Sequence, residues 1–487
     1  MKERLSVAYG TAAWACQSIQ KTKKKKKKKK KLTIIQNKPF PENNKMEGGG
    51  IEGGAGVSEQ AIRGAQYIKA FFEGRSDRNF VFERIISQGS WGFTVQMMMR
   101  SNEAPETLSP RPLGNAFGLQ PISSLLDSPV RQSFNQFNPM SRGLVPSFGP
   151  SFRPSLGRGS QIPRASQSAT RFVMKRSLAE VGENNITKEI DTLNRLRGSM
   201  HIAQPSHVID DPRWNNVMQS LKGPTLVMDW IDHGLLWSFY ERRAEVDEPL
   251  PNRLLWALFL CLCRMVVALT WPQRDLGRPI SAGLEIETIP PANLSGERPP
   301  KARLLHGDFH GQNIMIDQLE PQEHGTAPVL KLIDFGLSRD LPVRVNEPRN
   351  IVVKTNIRAI GEVMLGLLRG NVKGGPGLMD ITYNGETRKI NSYATDLDRL
   401  SSKYRAPSIL VAKHQERIAN LDPDIRSLVA SCVAVGIDDR PDIEDLLGIV
   451  EQNAKSKTAN DYVGYKYANL ETDAAIKRII DTHMFDA

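Results

Sequence analysis

Cysteine is scarce. The 487-residue chain has four, Cys16, Cys261, Cys263 and Cys432. They show no paired metal-ligand spacing and are too few and scattered for a disulfide scaffold, so a reducing compartment is expected. Cys261 and Cys263 lie in an apolar run and read as core residues. Long hydrophobic runs are missing too. The longest, Leu254–Leu269, has sixteen residues and contains Arg264, whereas a membrane span takes about 20. It reads as the buried helix of a soluble domain, so no spanning segment is expected. Leu5–Ile19 lacks the basic start and long apolar stretch of a secretory leader.

Outside its first 45 residues the chain also lacks a basic excess. Residues 1–45 hold fourteen Lys or Arg against two Glu, which is the whole of the net +12. The remainder is neutral, so the folded part is not expected to bind nucleic acid. Lys23–Lys31 is an unbroken lysine run. It reads as a nuclear-targeting or polyanion-binding tail, as a self-repelling disordered tail, or as a translated A-rich leader with the true start at Met46. The expected location is cytoplasmic, or nuclear if the lysine tail is real.

Residues 1–60 are of low complexity, and Glu59–Phe72 carries a helical pattern. Phe80–Ile86 and Phe93–Met99 read as strands. Residues 101–168, rich in Pro, Ser, Gly and Asn without a sustained period, read as a disordered insertion. A strand resumes at Phe172–Met174. Ile186, Ile190, Leu193 and Leu196 then recur at helical spacing. Leu226–Met228 is a short strand. From Arg253 the pattern turns mostly helical, with strands at Ile314–Ile316 and Val329–Ile333 and an irregular loop over Pro272–Lys301. Further helices are expected at Ile357–Leu368, Ile425–Val435 and Ile443–Val450. Leu470–Ile480 is amphipathic and is expected to pack on the domain or to fray.

Five segments carry chemistry. Ser87-Gln-Gly89-Ser-Trp-Gly92-Phe-Thr94 lies between two strands. Glycines there let phosphates approach a backbone, although any hairpin could carry them. Phe172-Val-Met-Lys175 ends a strand in lysine, and Glu189 sits on the following helix. Either residue alone reads as an exposed charge. Jointly they could fix a lysine against phosphates. His306-Gly-Asp308-Phe-His310-Gly-Gln-Asn313 and Ile333-Asp334-Phe-Gly336 each adjoin a short strand. Asp308 could take a hydroxyl proton, while Asn313 and Asp334 offer the hard oxygens that magnesium prefers.

From about Phe80 to Val450 the chain resembles the protein kinase superfamily. QGSWGFT resembles its Gly-rich loop, FVMK its strand lysine, and EIDTLNRLRGSMHI its αC helix. LVMDWIDHG resembles the hinge, HGDFHGQN the catalytic loop and IDFG the metal-binding motif. Asn356-Ile-Arg-Ala-Ile-Gly361 resembles the start of the αF helix, and Asp439-Arg440-Pro441 the Arg-Pro before the last helix.

The resemblance implies an α+β, two-lobed fold. The small antiparallel β lobe with αC would span 75–232, the larger helical lobe 233–455, and a tail 456–487. It implies ATP and Mg2+ as cofactors and a Ser/Thr protein substrate. Ser87, Gly89, Gly92 and Thr94 would line the nucleotide. Lys175 would hold its phosphates, paired with Glu189. Met228 would be the gatekeeper, with Asp229 and Ile231 meeting adenine through backbone groups. Asp308 would be the base, assisted by His310, and Asn313 and Asp334 would bind magnesium.

Departures are visible. Ser87 replaces a glycine and Thr94 a valine. Gly307 stands where an arginine is usual, and His310 where a lysine contacts the transferred phosphate. A histidine carries full charge there only on the acid side of neutrality. Asn356 replaces the aspartate that steadies the catalytic loop, and Arg440 lacks its usual glutamate. Only nineteen residues separate Gly336 from Asn356, with no substrate-docking Ala-Pro-Glu. HGDFH also resembles aminoglycoside and choline kinase-like enzymes. A small-molecule kinase and a partner-binding pseudokinase are therefore the competing expectations.

Overall fold

The computed structural model describes residues 57–76, 79–89, 92–100, 169–178, 180–244, 246, 248–277, 283–343, 350–369, 375–383, 385–398 and 415–485. The lysine tail and the insertion expected over 101–168 lie outside the described residues.

The first helix, α1 (Glu59–Glu73), starts where Ser58 Oγ accepts the Ala61 N–H at 3.3 Å. Ala61, Ala65, Ile68 and Phe72 fall on one face and are buried. That face lies on the sheet formed by β1 (Phe80–Gln88), β2 (Gly92–Met99), β3 (Thr170–Ser177) and β4 (Thr225–Asp229), antiparallel in the order β1-β2-β3-β4. Between β3 and β4 come α2 (Glu180–Arg195) and α3 (Pro212–Ser220). Asp211 caps α3, and Trp214 from that helix meets the rings of Phe72, Phe80 and Phe172. These side chains make a core of their own under the sheet.

A larger core surrounds α5 (Asn252–Thr270), where every residue except Arg253 is buried. By length and composition this helix could cross a membrane, yet 94% of its apolar window is packed inside the protein. Arg264 is tolerated in it because it is fully paired. Its guanidinium donates to Glu323 Oε1 at 2.7 Å, Glu451 Oε1 at 2.9 Å and the Glu287 carbonyl at 2.6 Å. Around α5 pack α4 (Leu236–Ala244), the β6–β7 hairpin (Ile314–Leu319, Pro328–Leu332), α6 (Ile351–Arg369), α7 (Pro423–Cys432) and α8 (Ile443–Ser456). A short pair, β5 (Leu304–Leu305) with β8 (Arg339–Asp340), brackets the hairpin. The described residues thus form an α+β protein with a small four-stranded antiparallel sheet and three two-stranded antiparallel pairs.

Elements not expected from the sequence include α3, α4, the short pair of β5 with β8, and a hairpin of β9 (Gly377–Tyr383) with β10 (Glu386–Ser392), which buries Met379, Ile381 and Ile390. The terminal segment packs on the rest of the protein. In α9 (Asp473–Ile480), Ile476, Ile479 and Ile480 are buried, and Glu471 accepts the backbone N–H groups of Asn252 and Arg253.

Candidate active site

On β3, Phe172 and Met174 face the smaller core, so Lys175, out of phase with them, faces α2. On α2, Glu189 lies on the same stripe as the buried Ile186 and Leu193 and is only 1% exposed. The two meet directly, with Lys175 Nζ donating to Glu189 Oε1 at 3.0 Å and Oε2 at 2.8 Å. The same Nζ donates to Asp334 Oδ1 at 2.9 Å. One ammonium therefore joins Glu189 to Asp334, which lies 159 positions from Lys175 in sequence.

Charge explains how these groups titrate. Burial alone would lower the Lys175 ammonium, but two adjacent carboxylates hold it above its ordinary range. Two carboxylates share one cation, so the cluster carries excess negative charge. Burial pushes Glu189 up, with Lys175 pulling against it. For Asp334, burial is outweighed by Lys175 and the Gly336 N–H, and its carboxyl lies below the ordinary range.

Asp334 stands out in its backbone as well. At φ 58° and ψ 77° it is the only non-glycine with positive φ among the described residues. Such strain persists where surrounding contacts over-determine it. Here Oδ1 accepts the Gly336 N–H at 3.2 Å and the Phe335 N–H is held by Glu189 at 3.2 Å.

The β6–β7 register, Ile314 opposite Leu332, brings Asn313 alongside this segment, and the Ile333 N–H donates to the Asn313 carbonyl at 2.9 Å. Asn313 Nδ2 is committed to Asp308, donating to its carbonyl at 2.8 Å and to Oδ2 at 3.0 Å. That leaves Oδ1 of Asn313 as its acceptor atom. His310 Nε2 lies 3.2 Å from Asp308 Oδ1, and its Nδ1 accepts the Gln312 N–H at 3.2 Å. With Nδ1 accepting an N–H, Nε2 is the ring atom left to meet Asp308.

His306, which the sequence reading gave no role, organises the loop. It is enclosed by Phe309 and Phe335. Its Nε2 donates to the Ile333 carbonyl at 3.1 Å, and its Nδ1 accepts the Asp308 N–H at 3.3 Å. Burial pushes its pKa down to about 4. The departures noted in the sequence also find local causes. Gly307 has φ 81°, and a Cβ there would meet the Leu337 carbonyl oxygen at 2.7 Å, so no side chain fits. Asn356 bridges two points near the loop: its amide nitrogen donates to the Leu304 carbonyl at 3.0 Å and its oxygen faces the His306 backbone N–H at 3.5 Å. Arg440 donates instead to the carbonyls of Ala434 at 3.0 Å and Lys354 at 3.2 Å.

The remaining expected residues sit around Lys175. Ser87 pairs with Thr94 across β1 and β2, and Thr94 with Lys175 across β2 and β3. The Gly89 N–H donates to the Gly92 carbonyl at 2.9 Å, closing the hairpin. A Cβ at Gly89 would meet nothing, whereas at Gly92 it would strike the Arg176 carbonyl. Gly92 is thus required by strand packing alone. Met228 pairs with Val173, Ile231 is buried, and the Asp229 N–H donates to the Gln204 carbonyl at 3.1 Å.

The array holds an ammonium, a half-exposed carboxylate and an amide oxygen next to a second half-exposed carboxylate. Such a set can bind a hard cation and polyanionic phosphate and can accept a hydroxyl proton. Compared with protein-family models and with curated proteins, the chain matches none.

Proposed function

We propose that this protein is an ATP-dependent phosphotransferase of the protein kinase type, with a two-lobed fold, transferring the γ-phosphate of Mg-ATP to a serine or threonine hydroxyl. The smaller lobe would be the four-stranded sheet with α1 to α3, and the larger would be built on α5. The observation that carries the proposal is the joining of Lys175 to both Glu189 and Asp334, beside Asp308 and Asn313. Phosphoryl transfer needs alignment and charge neutralisation more than covalent help. Lys175, fixed by Glu189, would hold the α- and β-phosphates. Asp334 and Asn313 Oδ1 would hold magnesium, which supplies the charge neutralisation that the excess of carboxylates calls for. Asp308, fixed by Asn313 and His310, would orient the acceptor hydroxyl and take its proton. Adenine would lie by Thr94 and Met228.

A second reading, a small-molecule kinase, has one observation in its favour. The helix α6 begins at Ile351, with fourteen residues between it and Gly336, a short stretch for docking a peptide. Transfer of labelled γ-phosphate from Mg-ATP to generic protein acceptors, and to aminoglycosides or choline, separates the two readings. Asp308→Asn is the control. Transfer to protein that the variant loses supports the lead reading, and transfer only to the small hydroxyl compounds supports the second. ATP binding with no transfer to either points to a pseudokinase.

A further inference from the structure

Away from that site, three side chains that the sequence leaves far apart converge inside the larger core. They are His201, in the connection after α2, Cys261 on α5 and His324 in the β6–β7 turn. One ligand-type atom from each lies within 4.8 Å of the other two. His201 and Cys261 are fully buried and His324 is 7% exposed.

Their other ring nitrogens are already fixed. His201 Nδ1 lies 2.6 Å from Glu287 Oε2, and His324 Nδ1 lies 2.8 Å from the Ala327 carbonyl. Each ring thus presents Nε2 to the cluster. His324 Nε2 is 3.0 Å from Cys261 Sγ, whereas His201 Nε2 is buried and makes no hydrogen bond of good geometry, although His201 interacts with the same Cys261 thiol. A buried polar atom left unpaired is costly, and a carboxylate or carbonyl behind a histidine is the usual support of a metal ligand.

We propose that His201 Nε2, Cys261 Sγ and His324 Nε2 bind a zinc ion. This does not depend on the phosphotransferase reading. The ligand set is the soft-plus-imidazole type that suits zinc. The charges also close. A divalent ion, one thiolate and the Glu287 carboxylate sum to zero, while the neighbouring Glu323 is already neutralised by Arg264. Metal–ligand bonds of about 2.0–2.3 Å put tetrahedral ligand atoms roughly 3.5 Å apart, so the Cys261–His324 pair has to open only slightly. Three protein ligands leave the fourth position to a water or small anion, and burial keeps substrates away. The ion would act as a staple. His201 is tied to β7 through the Leu332 N–H, which donates to its carbonyl at 2.9 Å. Zinc would therefore lock the connection after α2 to α5 and to the strand leading into Asp334.

The test is the metal content of the full-length chain, purified without chelator or metal-affinity tag from zinc-supplemented medium and measured by mass spectrometry. One zinc per chain is expected. Exchange for cobalt should give visible d–d bands and a thiolate charge-transfer band, and Cys261→Ser should abolish the latter. Glu287→Gln, which touches no metal, should weaken zinc binding about 10–100-fold. A folded wild-type chain that holds no zinc after equilibration with the free ion overturns the proposal. So does copper in place of zinc, or a cobalt spectrum unchanged by Cys261→Ser.

Discussion

Two polar clusters lie within one fold and differ in what surrounds them. Around Lys175 the charges are unequal, and the aspartates face water, with Asp334 43% and Asp308 40% exposed. Around Cys261 the groups are sealed in the core, and the charges balance once one divalent ion is added. Excess negative charge open to solvent suits partners that come and go, such as magnesium and a nucleotide. A balanced, closed set suits an ion that stays. Substitutions should separate the two clusters.

The largest expected effect falls on the open cluster. Asp334→Asn should lower turnover by at least about 10²–10³-fold, since it removes charge stabilisation at the transferring group. The fold should survive, because asparagine tolerates the left-handed backbone of that position. Steady-state kinetics with circular dichroism check this, and undiminished turnover would break the comparison. Lys175→Met should also abolish turnover, but it leaves Glu189 buried without its cation and should cost stability as well.

The next effect is structural. Arg264→Met leaves Glu323 buried without a counter-charge and should destabilise the protein by about 3–5 kcal/mol in denaturant unfolding.

A third effect is pH-dependent. His306 titrates near 4 in the fold, against 6.5 ordinarily, so the folded state takes up fewer protons than the unfolded state between these values. Its contribution is complete above about pH 6.5 and is lost as the pH falls toward 4, about 3 kcal/mol in all. Protonation would put a hydrogen on the nitrogen that accepts the Asp308 N–H, so activity of the folded protein should fall only as the pH approaches about 4. His306→Asn should flatten the stability profile there.

The smallest effect is expected from replacing residues 101–168 with a short turn. Met99 pairs with Thr170, so β2 and β3 can be joined directly. Closing a 68-residue connection should stabilise the protein by no more than about 2 kcal/mol and leave ATP binding intact. Unfolding of the sheet in that variant would show that the segment is part of the core.

Much of the open cluster was legible in the sequence because its residues lie in short motifs next to strands and keep a recognisable order. Glu189 could have been read further. Its spacing from Ile186 and Leu193 puts it on the buried stripe, which an ordinary surface glutamate avoids. Signals for the missed elements were also present. Asp211-Pro212 is a capping residue followed by proline at a helix start, and Asn384-Gly385 is a hairpin turn pair. The Cys261 cluster was not legible. Its ligands stand singly on separate elements, with Cys261 and His324 63 residues apart, and only packing brings them together. His306 was equally hidden, since its place between two rings follows from the loop's closure and from no local pattern.

The most direct test of the central claim is the unfolding midpoint with and without ATP, in magnesium and in chelator, for wild type and Asp334→Asn. The account predicts that ATP raises the wild-type midpoint only when magnesium is present, and that the variant loses that shift. No ATP-dependent shift in the wild type, or an equal shift in the variant, would contradict it.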